Sequence, residues 1–296
     1  MNHSSYELQN TTLGVVTGVG GTLGAACARQ LVDHVDRLLL ADRDPHAAAA
    51  AARELVHDAG VAAEPFTLDV AHEDGPERLA ARIRELGTLR AVAHMDFCTP
   101  SMATAGELLT DLVATARLAE ALRPLAGNGT ATVVLSAMSP MLDPNIPDPA
   151  ALAVLDDPLH PRFAERMREV LGASIDTPAA ASTWANRGIH RFVRRESVRL
   201  GAVGARICSV SKGIIDLPSM RMDAAEFPGI DRIVQTTPLG RMGHAEEVAA
   251  VVTFALSEQA SFLNGIDLLV DGGACAAADI SPVHAPAATR TAVLAG

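Results

Sequence analysis

Residues 13–24 read Leu-Gly-Val-Val-Thr-Gly-Val-Gly-Gly-Thr-Leu-Gly, and the reading of this run decides the fold. An apolar strand ending at Thr17 passes directly into a glycine-rich turn, and helical periodicity begins at Thr22. Glycines 18, 21 and 24 allow a tight turn, close approach of the main chain to a diphosphate, and close packing of helix on strand. The first helical turn carries free N–H groups and the positive end of the helix dipole, which together hold an anion. The next apolar run, Asp36–Asp42, ends on a carboxylate that can accept hydrogen bonds from ribose hydroxyls and that repels a 2′-phosphate. A glycine string alone is a weak signal. Set between strand and helix, with an acid about twenty residues on, it identifies a dinucleotide-binding βαβ unit. Gly18, Gly21, Thr22, Leu23, Gly24 and Asp42 are the expected cofactor residues, and NAD is favoured over NADP.

Outward from this unit, apolar runs alternate with helical segments. Asp44-Pro45 opens a helix as N-cap and first-turn proline, and Gly60 closes it. Further strands are expected at AEPFTLDV, LRAVAHM, TATVVLSA, ARICSVS and GIDLLVD, with helices near 73–86, 102–123, 179–200 and 244–258. Near-continuous apolar strands between helices indicate a single α/β domain of the doubly wound Rossmann type, with about seven mainly parallel strands covered on both faces. The domain is expected to span 13–278, between a leader (1–12) and an Ala/Pro-rich tail (279–296). Residues 139–177 break the rhythm with six prolines and a short helical piece near 162–171, and are expected to form an insertion or lid at the ligand end of the sheet.

The composition excludes several classes. With 49% hydrophobic and 20% charged residues the chain has material for a large core, and its net charge of −11 repels nucleic acid and anionic membrane surfaces. No run is apolar enough to cross a membrane, and the start lacks a signal-peptide pattern, so a cytoplasmic location is expected. Cys27, Cys98, Cys208 and Cys275 stand apart without metal-ligand spacing; they are expected to be buried thiols, and no metal site is expected. The single tyrosine is Tyr6, ahead of the first strand.

From residue 13 to about 275 the chain resembles the short-chain dehydrogenase/reductase family. The resemblance rests on TGVGGTLG, on Asp42, on Leu68-Asp69-Val70 after the third strand, and on RMGHAEEVAAVVTFALSEQASFLNGIDLLVDGG, which is similar to the family's oligomer-forming end. It implies a cofactor contact at Asp69 and Val70, oxidoreductase chemistry on a small molecule, and a homodimer or homotetramer.

The resemblance also implies four catalytic side chains, and this chain has changed all four. The family's Tyr and Lys, one helical turn apart, fall on Ser182 and Asn186. Its Ser falls on Ala137, flanked by Ser136 and Ser139, and its helix Asn on Asp111. A serine hydroxyl is far too weak an acid to replace a lysine-tuned phenol. Loss of a positioned acid or base costs roughly 10²–10⁴ in rate. Asn-Asn-Ala-Gly reads His94-Met95-Asp96-Phe97, which would set a carboxylate and a ring against the cofactor, and whether NAD still binds stays open. Pro-Gly-x-x-x-Thr reads Lys212-Gly213-Ile214-Ile215-Asp216-Leu217.

Asp111, Asp96, Ser136 and Lys212 are thus the candidate catalytic residues, on three readings. One is redox-neutral acid/base chemistry (elimination, isomerisation or cyclisation) on a largely apolar substrate. Another is NAD-dependent redox chemistry with a substitute proton relay through Lys212 or the Ser136/Ser139 pair. The third is a catalytically silent subunit assembled with an active paralogue. Beside these stand the plain structural readings: a hydrogen-bonded core imidazole at His94, a solvated Asp111, a surface Lys212, and an interface or solvated face at Arg187, Arg191, Arg194, Arg195 and Arg199.

Overall fold

Strand β1 (Thr12–Thr17) is almost wholly buried, with alternate side chains entering different clusters: Val16 joins Leu23, Leu31 and Leu38 on one face, while Leu13 and Val15 join Leu39, Leu79 and Ile83 on the other. This two-sided burial is what a central parallel strand requires. The computed structural model describes residues 11–72, 74–96, 103–218 and 229–280. Phe97, Cys98, most of the leader with Tyr6, and the tail from 281 lie outside them.

The remaining strands are β2 (Arg37–Asp42), β3 (Ala62–Thr67), β4 (Thr88–His94), β5 (Ala131–Ala137), β6 (Arg206–Lys212) and β7 (Asp267–Val270). They form one seven-stranded sheet in the order β3-β2-β1-β4-β5-β6-β7, parallel throughout. The order reverses between β1 and β4, and a ligand crevice is expected at the C-terminal ends of that pair. This is the Rossmann-type architecture that the glycine-rich run predicts.

Helices α1 (Thr22–Leu31) and α2 (Pro45–Ala59) cover one face with α8 (Ala245–Leu256); α3 (Gly75–Leu86), α4 (Ala105–Leu122) and α7 (Pro178–Gly201) cover the other. Local chemistry sets their ends. The Asp44 carboxylate accepts from His46 N at 2.8 Å with proline behind it, and Gly60 ends α2 at φ 64°, a left-handed conformation that glycine adopts without strain. Thr104 and Glu107 form a reciprocal capping box at the start of α4.

The 139–177 segment holds more regular structure than its prolines suggest. Besides α6 (Phe163–Leu171), the expected helical piece, it forms α5 (Pro149–Leu155), capped by Asp148 on Ala150 N at 2.7 Å. Val154, Leu155, Phe163 and Met167 pack with Leu108, Leu112, Ile189 and Val193, so the segment is bolted to the outer face of α4 and α7. The arginines of α7 serve the same attachment: Arg187 pairs with Asp143 while stacking on Trp184, and Arg191 chelates Asp156. Cys27, Cys208 and Cys275 are buried thiols, and burial pushes Cys27 up to about 12. Among the described residues no His/Cys/Asp/Glu group is disposed to hold a metal ion, and no helix is long and apolar enough to cross a membrane.

Candidate active site

The glycine run opens a cavity of about 580 Å³ at the β1/β4 switch point. Gly18, Gly21, Thr22, Leu23 and Gly24, the residues expected to hold a cofactor, all line it, and Gly20 joins them. Gly18 has φ 69°, and a Cβ there would lie 2.9 Å from Asp96 N, so only glycine fits. A Cβ on Gly24 would overlap the carbonyl oxygen of Gly18, which is how closely α1 packs onto the turn. Helix α1 begins behind Gly21 with no side chain capping its first N–H groups. A turn whose Gly18 and Gly24 leave no room for a Cβ, facing an uncapped helix end, fits a diphosphate.

Beyond the loop the cavity runs toward Arg43, Asp69, Val70 and Ala71. Asp42 accepts from Gly20 N at 2.8 Å and from Asp44 N at 2.9 Å, so its carboxylate is tied to the loop, but unlike its neighbour Arg43 it is not among the residues lining the cavity. Asp69 accepts from Ala71 N at 3.0 Å and is fixed in the same way. Asp96 lines the cavity beside the loop. Burial pushes its carboxyl up from the ordinary range; Arg43 pulls it partly back, while Asp42 and Asp69 push it further up.

The opposite wall carries Asp111, Lys212, Leu135 and Leu217, with His94 and Met95 at the floor. Lys212 is buried rather than on the surface, and Asp111 is half-buried. His94 is fully enclosed, its Nδ1 2.7 Å from Thr17 Oγ1, and desolvation pushes its pKa down to about 4. It is the neutral core imidazole of the plain structural reading.

The four altered family positions divide. Asp111 lines the cavity, whereas Ser182 and Asn186 close into a hydrogen-bonded network of their own with Ser136 and the main chain of Ala137. Asn186 Oδ1 accepts from Ser136 Oγ and from Ala137 N, both at 2.9 Å, and its Nδ2 donates to Ser182 O at 2.8 Å. The Ser136 and Asn186 side chains are fully buried. Behind them His190 Nε2 lies 3.0 Å from Ser136 Oγ and 2.9 Å from Ser211 Oγ, and the Asp267 carboxylate accepts from Ser209 at 2.7 Å and Ser211 at 2.9 Å. The Ser136, Asn186, Ser209 and Ser211 side chains all have hydrogen-bond partners within this patch, so it stands as a polar core that largely satisfies itself.

The structure therefore brings Asp96, Asp111 and Lys212 to one cavity and places Ser136 behind its wall. No residue of 139–177 is among those lining the cavity. Three participants were not singled out from sequence: Arg43, His190 and Asp267. His190 had a usable signal, since it follows Asn186 by one helical turn and Ser182 by two and so shares their face.

Comparison with known proteins agrees with the fold and the loop. Residues 12–139 match the family model described as KR domain, and residues 172–275 match the one described as Enoyl-(Acyl carrier protein) reductase. Short-chain dehydrogenase/reductase bsc3 of Alternaria brassicicola is 27% identical over 274 residues, covering 88% of this chain and 95% of that protein. A short-chain type dehydrogenase/reductase from Mycobacterium ulcerans superposes with a TM-score of 0.71 at 22% identity, covering 91% of each chain. The 3-alpha-hydroxysteroid dehydrogenase from Pseudomonas sp. B-0831, solved in complex with NADH, gives 0.67 at 21% identity over 88% of this chain and 96% of its own.

Proposed function

We propose that the chain is a short-chain dehydrogenase/reductase and acts as an NAD-dependent oxidoreductase on a small, largely apolar carbonyl or alcohol, with the family's tyrosine–lysine acid replaced by Lys212. One observation carries the reading: the phosphate cradle is intact and opens into a cavity whose far wall holds Lys212 and Asp111, while Ser182 and Asn186 are sealed away from it. Relatives named as dehydrogenases and reductases support it further.

Gly18, Gly21, Thr22, Leu23 and Gly24 hold the diphosphate, and Asp42 holds the ribose hydroxyls and disfavours a 2′-phosphate, which makes NAD the better fit. Asp69 and Val70 border the adenine. The bound dinucleotide supplies the hydride. Lys212 delivers the proton to the substrate oxygen, and Asp111 lines the same cavity. Leu135 and Leu217 exclude water from the apolar side of the substrate. Assembly runs through α8 and the β7 edge, where Phe254, Ile266, Leu269 and the fully exposed Phe262 are available for a second copy.

The test is turnover of NADH with a panel of cyclic and aliphatic ketones. Lys212→Met should lower kcat/KM by about 10² or more at unchanged NADH affinity. Equal activity in the variant refutes the role of Lys212. A second reading, redox-neutral acid/base chemistry by Asp111 and Lys212, is favoured by the sealing of the family's proton donor position. It predicts substrate conversion with no change in NADH absorbance.

A further inference from the structure

Asp96 is an acid in a place built for a dianionic ligand. It follows β4 directly, and its main chain is packed against the phosphate loop so closely that a Cβ on Gly18 would lie 2.9 Å from Asp96 N and 3.0 Å from its Cα. Its amide also lies 3.4 Å from Thr17 Oγ1, the residue that leads into the loop. The position of Asp96 relative to the cradle is thus fixed by backbone contacts. The side chain lines the cavity, where the charges around it are Arg43 and Asp42 from the end of β2 and Asp69 from beyond β3. On its own strand His94 is neutral, and Asp111 and Lys212 belong to the farther wall. Among the described residues the Arg43 guanidinium faces the carboxylates of Asp96, Asp42 and Asp69, and Glu107 on the cavity lining shares it, so the surroundings of Asp96 leave negative charge uncompensated.

Resting on the dinucleotide reading above, we propose that Asp96 sets the charge selectivity of the cavity: its carboxylate penalises phosphate-bearing ligands, and protonation removes the penalty. The site then discriminates against each added phosphate and couples dinucleotide binding to proton uptake. Desolvation pushes the Asp96 carboxyl up from the ordinary range, in the direction that favours proton uptake. The diphosphate itself stays ionised, so the pH dependence belongs to the protein. Arg43 limits the effect by countering part of the repulsion.

The experiment is calorimetric titration of the whole protein and of its Asp96→Asn and Asp96→Ala variants with NAD and with uncharged adenosine, at constant ionic strength. At about pH 8, Asp96→Asn should bind NAD at least about tenfold more tightly than the parent protein, with adenosine affinity unchanged. The advantage should shrink as the pH is lowered, because protonation of the parent carboxyl removes the charge that the variants lack. Asp96→Ala should share the gain, which separates charge from shape. Equal or weaker NAD binding by both variants overturns the proposal and makes Asp96 a ribose ligand or a bystander. An equal gain for adenosine overturns it as well, since that is a packing effect. Failure of all three proteins to bind NAD while they bind adenosine overturns the dinucleotide reading itself, and this one with it.

Discussion

Replacing His94 by asparagine should remove a specific part of the acid sensitivity of this protein, and the size of that part follows from where the ring sits. His94 is completely enclosed beneath the cavity with Thr17 as its hydrogen-bond partner, and burial holds its pKa near 4 against 6.5 for a solvated ring. The folded state therefore refuses a proton that the unfolded chain accepts. A depressed folded pKa contributes stability that is fully present above the unfolded value and is lost as the pH falls toward the folded one, so the window runs from 6.5 down to about 4. Integrated across that shift, the loss is about 2 kcal/mol by about pH 5 and on the order of 3 kcal/mol by about pH 4. Urea unfolding of the parent and of His94→Asn at about pH 7.5 and pH 5 isolates the effect, because the other histidines titrate alike in both proteins. The parent should lose about 2 kcal/mol more than the variant between the two conditions. Parallel loss in both proteins refutes the assignment of a neutral, desolvated ring at His94.

Other outcomes follow from the same structure. Gly18→Ala should cost roughly 1–3 kcal/mol in unfolding free energy by chemical denaturation, because the added Cβ meets Asp96 N at a φ of 69°. Glu196 is fully buried and pairs with Arg123 at 2.5 Å and Arg199 at 3.0 Å; both guanidinium groups keep access to solvent, so Glu196→Ala should destabilise by about 1–3 kcal/mol in the same assay, from the lost hydrogen bonds and packing. Asp44→Ala removes the α2 cap and should cost about 1 kcal/mol, read as a small drop in melting temperature without loss of nucleotide binding. Leu269→Glu, at the exposed β7 edge, should shift sedimentation toward the monomer if the edge carries the assembly, and an unchanged profile argues against that interface.

Much of the fold was legible because its signals are local. Leu13–Gly24 specifies strand, turn and helix from adjacent residues, and Asp44-Pro45 and Gly60 mark both ends of α2. The same grammar was present at Asp148-Pro149, yet α5 went unread among six prolines; a capped first-turn proline is helix-starting whatever the density of prolines around it. The cavity was legible where its residues sit at strand ends, as Asp96 and Lys212 do. The polar core was not, because Ser136 meets His190 54 residues on and Ser211 meets Asp267 56 residues on, pairings that only the β5-β6-β7 order creates. Sequence comparison could say that Ser182 and Asn186 lack the family's chemistry. Only the fold shows that Asn186 bonds Ser182, Ser136 and the main chain of Ala137, which turns three of the four altered positions into one structural unit and leaves Asp111 in the cavity.

The central claim is that the cradle formed by Gly18, Gly21 and Gly24 binds a nicotinamide dinucleotide. Gly21 offers the direct probe, since its φ of −84° and ψ of 149° suit any residue and a Cβ there finds only the Gly18 carbonyl oxygen, at 3.4 Å. Gly21→Trp thus fills the cavity without breaking the turn, whereas bulk at Gly24 would disrupt the turn itself. Calorimetric titration with NAD and NADH should give micromolar binding to the parent protein and none to Gly21→Trp at an unchanged melting temperature. Silence from the parent at millimolar nucleotide, or undiminished binding in the variant, would contradict the account.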